Sequence, residues 1–311
     1  MTRKVVEVAA GVLLRADGRF LLGQRGGDTV YAGYWEFPGG KVEPGETPAQ
    51  ALCRELDEEL GIRVRHLRPW LLREHVYEHA HVRLYFFEVS AWDGEIRDHV
   101  HSALDWVLPG QSCAPMLPAN GPILKALGLP RTMGITQAAT IGIDAQLAAL
   151  ERALARGLRL VQVREAGLAA TERRVFVREV VARVHACAGL VVINDDAALA
   201  AEAGADGVHL PAARLAALQA RPALPWVGAS CHRREELERA AALELDYAVL
   251  GSVFATPSHP GQAALGWAGF AALAAGLPLP VFAVGGLDDT HMEAARDAGA
   301  HGIAAIRAAW R

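Results

Sequence analysis

Features that would tie a protein to nucleic acid, a membrane or an oxidising compartment are scarce in this sequence. The net charge at pH 7 is −4, so the chain lacks the excess of basic residues that would indicate binding of nucleic acid. No apolar run approaches the roughly 18 uncharged residues of a membrane-spanning helix. The spacing of the cysteines matches neither metal-binding pairs nor a dense disulfide framework. It therefore favours free thiols in a cytoplasmic protein. They are Cys53, Cys113, Cys187 and Cys231.

Lysine is scarce as well, because the chain favours arginine. The only lysines are Lys4, Lys41 and Lys125, and none follows Lys125. Aromatic residues make up 6% of the chain, yet 52% is hydrophobic and 21% is charged. This composition is typical of a globular protein with a large core. At about 150 residues per domain, the 311 residues predict two domains.

The first part of the chain predicts an α+β domain with a mixed sheet over residues 1–129. Residues 4–24 contain two apolar runs around Ala16-Asp17-Gly18, which predicts a hairpin. Residues 82–92 are rich in aromatic and β-branched side chains and predict a strand. A helical segment at about 48–60 lies between these strands.

The second part, residues 131–311, alternates short apolar runs with helical segments. This alternation is typical of βαβ units and a parallel sheet. Eight such strands predict an α/β TIM barrel, although the length is compact for one. The expected strands lie at 133–136, 158–163, 189–193, 206–210, 225–229, 247–254, 280–284 and 301–306.

The helix predicted at 48–60 places three carboxylates on one face. Thr47 is suited to cap its N-terminus, Gln50 fills the capping-box position and Gly61 is suited to end it. Glu residues at i, i+3 and i+4 share a face, and their repulsion is relieved by a divalent cation. Oxygen ligands alone favour Mg²⁺ or Mn²⁺. The alternative is a solvated acidic face with no ligand.

The surrounding residues resemble the Nudix box, G-x5-E-x7-R-E-U-x-E-E-x-G-U, where U is aliphatic. Every specified position matches: Gly40, Glu46, Arg54, Glu55, Leu56, Glu58, Glu59, Gly61 and Ile62. The resemblance implies hydrolysis of a nucleoside diphosphate linked to another moiety, with Mg²⁺ or Mn²⁺ as cofactor.

By the same resemblance, the metal is held by three helix carboxylates and one backbone carbonyl. These groups belong to Glu55, Glu58, Glu59 and Gly39. Arg54 is then expected to orient the carboxylates, and Glu46 is expected to serve the site from the preceding loop.

Two further segments resemble MutT-type 8-oxo-dGTP diphosphatases, namely Trp35–Lys41 and Leu117–Ile123. In this resemblance Asn120 reads the edge of the oxidised guanine, because an amide both donates and accepts hydrogen bonds. An ordinary turn residue is the alternative for Asn120. Phe37 is expected to pack on the base, and Arg25 corresponds to an arginine that contacts phosphate or sugar. The predicted substrate-binding residues are Arg25, Phe37, Gly40, Lys41 and Asn120.

One position departs from the MutT pattern. Those enzymes carry a further glutamate, a metal ligand or base, in a loop that corresponds to a position near Val100 of this chain. Asp98 or Glu95 could substitute if the loop shifts. His99 and His101 are also near this position, although loop histidines are usually surface residues. The identity of the general base therefore stays open at this point.

Residues 131–311 resemble thiamine phosphate synthase and its relative TenI. The matching residues lie mostly at the carboxyl ends of the predicted strands, where barrel sites are built. Gly285-Gly286 fits a cradle of backbone N–H groups for phosphate. The resemblance implies a barrel ligand site for a thiamine-related phosphate, which comprises Gln162, Arg164, Asn194, Asp195, Ser230, Thr256, Gly285 and Gly286.

The barrel departs from the synthase pattern where that pattern binds metal and phosphate. Ala166 and His259 replace two lysines, and Arg214 replaces a metal-binding aspartate. These changes remove much of the expected stabilisation of pyrophosphate. Leu210-Pro211 is similar to TenI, but Ser252 stands where TenI has a histidine. A degenerate synthase-like domain is therefore expected.

Taken together, the resemblances imply a Mg²⁺-dependent enzyme that converts 8-oxo-dGTP to 8-oxo-dGMP and pyrophosphate. A small nucleotide is its expected partner, and nucleic acid and membranes are not. One alternative is hydrolysis of a thiamine-pathway diphosphate, with a barrel that binds or transforms the product. Another alternative makes the barrel a regulatory sensor of the hydrolase.

Overall fold

The computed structural model describes residues 4–111, 113–256 and 263–311. Its contacts divide the chain into one unit that ends at Gly128 and a second unit, Leu129–Arg311. Among the helices in these residue ranges, none combines the length and apolarity required to cross a membrane.

Two sheets and one long helix build the first unit. The strands are β1 (Val5–Leu13), β2 (Phe20–Gln24), β3 (Trp35–Glu36), β4 (Gly39–Lys41), β5 (Arg63–Val76), β6 (His81–Asp93) and β7 (Ala103–Val107). One sheet has the order β4-β1-β6-β5 and the other β3-β2-β7. Since β1 pairs in parallel with β6 and antiparallel with β4, the first sheet is mixed. This confirms the predicted α+β class.

The hairpin predicted within residues 4–24 is wrong in its pairing. The chain does reverse there, because the Arg15 N–H donates to the carbonyl of Arg19. Beyond one bridge between Leu14 and Phe20, however, β1 and β2 belong to different sheets. Each strand finds its partners far along the chain, β1 on β6 and β2 on β7.

Helix α1 (Pro48–Leu60) has the capping that its sequence predicts. The Thr47 hydroxyl accepts from the Gln50 N–H, and the Gln50 side chain accepts from the Thr47 N–H. Gly61 ends the helix at φ 67°. The apolar face buries Leu52, Leu56 and Leu60 against the sheet, and the carboxylates flank this face, from Glu59 beside it to the exposed Glu58. A 3₁₀ turn (Pro118–Asn120) and α2 (Gly121–Leu127) follow β7.

The second unit is a closed barrel of eight parallel strands, as predicted. The strands follow the order β10-β11-β12-β13-β14-β15-β8-β9 around the barrel. Their bounds are β8 (Thr132–Ile135), β9 (Leu160–Val163), β10 (Leu190–Asn194), β11 (Gly207–Leu210), β12 (Trp226–Cys231), β13 (Tyr247–Gly251), β14 (Val281–Val284) and β15 (Gly302–Ala305).

Short helices surround the barrel and cover its apolar outer face. They are α3 (Ala138–Ile141), α4 (Ile143–Ala155), α5 (Ala170–Ala186), α6 (Ala197–Ala203), α7 (Ala212–Ala217), α8 (Arg234–Ala242), α9 (Gly266–Ala274) and α10 (Met292–Asp297). A 3₁₀ turn, Ala308–Trp310, follows the last strand. Leu160, Tyr247 and Phe282 help to fill the barrel interior, so the lumen is a packed core.

Candidate functional site

Helix α1 and strand β4 bring two carboxylates together in the first unit. Glu55 lies directly against Gly40, because a Cβ built on Gly40 would come within 2.2 Å of the Glu55 carboxyl carbon. Glu59 accepts a hydrogen bond of 3.0 Å from the Gly39 N–H. Glu58 lies on the outer side of the same face, and its side chain is 60% exposed.

Glu59 is the most strongly perturbed of these carboxylates. Its pKa is raised to about 8, chiefly by burial, and the negative charges of Glu55 and Glu36 contribute to the rise. The Gly39 N–H and the guanidinium of Arg25 oppose this shift. A buried carboxyl group near two other carboxylates is unfavourable in its ionised form unless a cation is close.

Arg54 joins the loop before α1 to the helix carboxylates. Its Nη2 donates to Glu46 Oε1 at 2.8 Å, and its Nη1 donates to Glu55 Oε1 at 2.9 Å and to Glu58 Oε2 at 3.4 Å. The hydrogen bond from Arg54 lowers the pKa of Glu46. Nη2 also donates to the backbone carbonyl of Lys41, whose side chain is exposed. One guanidinium thus fixes carboxylates from two segments.

The donor set fits a hard divalent cation. Glu55, Glu58 and Glu59 supply oxygen atoms from one helix face, and Glu59 is a buried carboxyl among like charges. The carboxylates do not yet have a metal-coordinating arrangement. In the described ranges, no group of three His, Cys, Asp or Glu side chains is arranged to hold a metal ion. Arg54 and the Gly39 N–H occupy carboxylate lone pairs instead.

The predicted substrate residues have different surroundings in the structure. Arg25 donates from Nη1 to both oxygens of Glu36, at 2.6 and 2.7 Å, so its guanidinium is held by a carboxylate. Asn120 is 3% exposed, and among the described residues its Nδ2 reaches only the weak acceptor Met116 Sδ, at 3.8 Å. Asn120 is thus a buried amide that can form further hydrogen bonds.

The expected packing of Phe37 on a base does not agree with the structure. Its ring is 3% exposed and lies 5.8 Å, between centroids, from both Phe20 and Phe86. The ring belongs to an apolar core cluster with Phe20 and Phe86, where its apolar surface is removed from water.

An aromatic cluster near Asn120 was missed by sequence reasoning. Tyr77 lies 5.6 Å from Tyr31 and 4.3 Å from His75, and Tyr31 lies 5.9 Å from His79. The Tyr77 hydroxyl bonds the backbone of Ala119, next to Asn120. The alternation of aromatic rings at 75, 77 and 79 was the available signal. These rings are candidates for stacking on a base.

In the loop between β6 and β7, a histidine reaches the carboxylates. His101 Nε2 lies 4.0 Å from Glu59 Oε2, and its side chain is 3% exposed. The ring fits there because Gly23 has no side chain, since a Cβ at Gly23 would come within 2.3 Å of His101 Cδ2. Val100 is exposed, and Glu95 lies in solvent beside Arg97. Asp98 accepts from the His101 backbone N–H at 2.7 Å and so fixes the loop.

The carboxyl end of the barrel holds a cavity of about 770 Å³. Seven of the eight predicted barrel residues line it, and the exception is Asp195, which pairs with Arg214 at 2.9 Å. Gln162 donates to Asn194 at 3.0 Å, which fixes two of these side chains. Sequence reasoning missed Arg307 and Arg311, which also line the cavity. His259 lies outside the described residues.

Comparison with known proteins assigns a family to each unit. The family model of the NUDIX domain matches residues 5–127, and that of thiamine monophosphate synthase matches residues 132–309. The chain belongs to both families. It carries a NUDIX domain followed by a barrel of the thiamine monophosphate synthase family.

Relatives of the NUDIX domain include two enzymes of Escherichia coli. A CTP pyrophosphohydrolase is 40% identical over 130 residues, which cover 40% of this chain and 91% of that protein. An 8-oxo-dGTP diphosphatase is 34% identical over 125 residues, which cover 40% of this chain and 97% of that protein.

A relative of the barrel is a thiamine-phosphate synthase of Thermosynechococcus vestitus. It is 38% identical over 168 residues, which cover 53% of this chain. The chain spans about half the length of that relative, since the match covers 48% of it.

Proposed function

We propose that the NUDIX domain is a Mg²⁺- or Mn²⁺-dependent diphosphohydrolase that converts 8-oxo-dGTP and water to 8-oxo-dGMP and pyrophosphate. Removal of this oxidised nucleotide from the precursor pool would avoid mutation during DNA replication. The observation that carries the proposal is the cluster of Glu55, Glu58 and Glu59 beside Gly39-Gly40, with Arg54 bonded across it.

In this proposal the chain's own residues bind and orient the diphosphate. Glu55, Glu58 and Glu59 would hold the divalent cation, and the Gly39 carbonyl would join them. The cation supplies neutralisation of the diphosphate oxygens. Arg54 keeps Glu55 and the loop residue Glu46 in place, because it donates to both. The buried setting of Glu59 strengthens each charge interaction there.

The proposed base pocket lies around Asn120. Its buried amide can both donate to and accept from a purine edge, and Met116 is its only weak partner among the described residues. The rings of Tyr31 and Tyr77 are available to stack on the base. A CTP pyrophosphohydrolase among the relatives makes a pyrimidine the competing substrate class.

A steady-state panel on the full chain tests the substrate. We expect the highest kcat/KM with 8-oxo-dGTP, compared with dGTP, CTP and dCTP, and formation of pyrophosphate rather than phosphate. Higher kcat/KM with a pyrimidine triphosphate would refute the 8-oxo-dGTP assignment while leaving the diphosphohydrolase in place.

A second candidate is supported by the fusion itself. The chain joins its hydrolase site to a barrel of the thiamine monophosphate synthase family that has an open cavity. A thiamine-related diphosphate would then be the substrate of the NUDIX domain. Thiamine diphosphate and hydroxymethylpyrimidine diphosphate in the same panel decide this, because preference for either compound over 8-oxo-dGTP supports the second candidate.

A further inference from the structure

The loop between β6 and β7 is fixed to the end of helix α1 by backbone hydrogen bonds. The N–H groups of Arg97 and His99 donate to the carbonyls of Leu60 and Glu59, at 2.9 and 3.0 Å. These carbonyls belong to the last turn of α1, where the helix itself offers no donor. The two bonds hold the loop beside the turn that carries Glu59. A side chain of this loop therefore has a defined position relative to the Glu59 carboxylate.

The side chain of His101 extends from this loop to the Glu59 carboxylate. It is 3% exposed, and its Nε2 lies 4.0 Å from Glu59 Oε2. Among the described residues, Nε2 has no hydrogen-bond partner. Of the two acidic side chains in the loop, Glu95 is 88% exposed, and Asp98 accepts hydrogen bonds from N–H groups of the loop itself. His101 thus brings a buried ring nitrogen without a partner to the carboxylates of α1.

The distance between these two atoms suits a shared cation better than a hydrogen bond. A hydrogen bond between nitrogen and oxygen spans about 2.7–3.2 Å, so the observed 4.0 Å is too long for one. Bonds to a small divalent cation are about 2.1 Å, so two ligands of one octahedral ion lie roughly 3 Å apart when adjacent and roughly 4.2 Å apart when opposite. The observed separation falls within this range. The gap between Nε2 and Oε2 therefore has the size that one bridging ion requires.

Asp98 orients the imidazole of His101 for this role. The Asp98 Oδ1 atom lies 3.5 Å from His101 Nδ1, and it also accepts from the His101 backbone N–H at 2.7 Å. The negative charge favours the tautomer with the proton on Nδ1, which leaves the lone pair of Nε2 on the side of Glu59. Histidines that bind a metal usually pair their second ring nitrogen with a carboxylate, a carbonyl or water. Gly23 completes the support, because a Cβ there would occupy the space of the ring.

We propose that His101 Nε2 is a ligand of the divalent cation, which it shares with Glu59. The inference rests on the proposed function, since it assumes that the cation binds at the carboxylates of α1. It adds one nitrogen ligand to a site that these carboxylates and the Gly39 carbonyl would otherwise build from oxygen alone. Imidazole nitrogen suits transition metals such as Co²⁺ better than Mg²⁺, which prefers oxygen ligands. His101 should therefore raise the affinity of the site for Co²⁺ more than its affinity for Mg²⁺.

Pulsed electron paramagnetic resonance of Mn²⁺ bound to the full chain, without nucleotide, tests the proposal. We expect a hyperfine coupling from a directly bonded nitrogen nucleus, because a histidine ligand brings its ring nitrogen to the ion. The His101→Asn variant should lose this coupling and bind Mn²⁺ about 10-fold or more weakly. A water molecule between Nε2 and the ion would give no coupling from a directly bonded nitrogen, and that result overturns the proposal. A coupling that is unchanged in His101→Asn overturns it as well.

Three further variants locate the nitrogen ligand. His99→Asn is the matched control, because His99 belongs to the same loop and is exposed, so the coupling and the affinity should not change. Glu59→Gln should remove the same coupling, and a coupling that persists in this variant overturns the shared site. His101→Gln, whose amide is long enough to approach the position of Nε2, should recover part of the affinity without the nitrogen coupling. This recovery separates the loss of a ligand from a loss of the fold.

Isothermal titration with Co²⁺ and, separately, Mg²⁺ measures the effect of His101 on metal preference. His101→Asn should weaken Co²⁺ binding about 10-fold or more and Mg²⁺ binding less, and equal losses for the two ions would contradict a nitrogen ligand. Mn²⁺ binding and hydrolysis of 8-oxo-dGTP without any nitrogen coupling would refute the role of His101 alone. Absence of Mn²⁺ binding by the unaltered chain would refute the cation-dependent hydrolase as well.

Discussion

Replacement of Glu59 by glutamine should stabilise the metal-free protein in a pH-dependent way. The folded-state pKa of Glu59 is about 8, against 4.5 for an ordinary glutamate. The unfolded chain therefore releases this proton first as the pH rises, and ionisation favours unfolding. The penalty is absent below pH 4.5, grows between pH 4.5 and 8, and is constant above that range. Glutamine removes it, because an amide has no charge to desolvate.

The expected gain follows from the two pKa values. At about 1.4 kcal/mol per pKa unit, the Glu59→Gln variant gains about 1 kcal/mol at pH 5 and about 4 kcal/mol at pH 8. The hydrogen bond from the Gly39 N–H survives the change, since the glutamine carbonyl oxygen accepts it as the carboxylate does.

The measurement is hydrogen exchange with mass spectrometry as a function of urea, in EDTA, at pH 5 and pH 8. Peptides from α1 and β1 report the N-terminal unit separately from the barrel. Glu58→Gln is the matched control, because the Glu58 side chain is 60% exposed and should change stability little at either pH. Equal gains at both pH values, or the same gain from Glu58→Gln, would refute the reasoning.

Three further changes test the site and the core. Glu58→Gln should lower metal-dependent kcat at least about 100-fold with an unchanged melting temperature, and full residual turnover would contradict its role as a ligand. Arg54→Ala should lower kcat/KM about 10- to 100-fold because Glu46 and Glu55 lose their hydrogen bonds to Arg54. Arg54→Lys should recover part of this activity. Equal activity of the two variants would count against a role of Arg54 in orienting these carboxylates. Phe37→Ala should lower the free energy of unfolding in urea by about 3–5 kcal/mol, since the Phe37 ring is buried. A rise in KM with unchanged stability would instead support contact between Phe37 and the base.

Local sequence determined much of the secondary structure and the position of the hydrolase helix. The Thr47-Gln50 capping box and Gly61 fixed α1 at its predicted bounds, because these interactions form within the helix and its flanking residues. The barrel strands were equally legible, because a strand covered by helices is apolar on both faces and stands out between amphipathic segments. Strand pairing was harder to predict from the sequence, since β1 and β2 lie close in sequence but belong to different sheets.

The spacing of Glu55, Glu58 and Glu59 by itself determined that three carboxylates share a helix face. Only the tertiary structure decided how each is surrounded, because Gly39, Gly40 and Glu36 come from other segments. It also decided that His101 reaches Glu59, since the space for its ring is left by Gly23 on another strand. In the barrel, the sequence has no lysine after Lys125, so its permanently charged cationic side chains are arginines. The closure of the barrel placed two of them, Arg164 and Arg307, at one cavity. Periodicity and capping are local interactions, whereas burial and charge balance depend on segments that are distant in sequence.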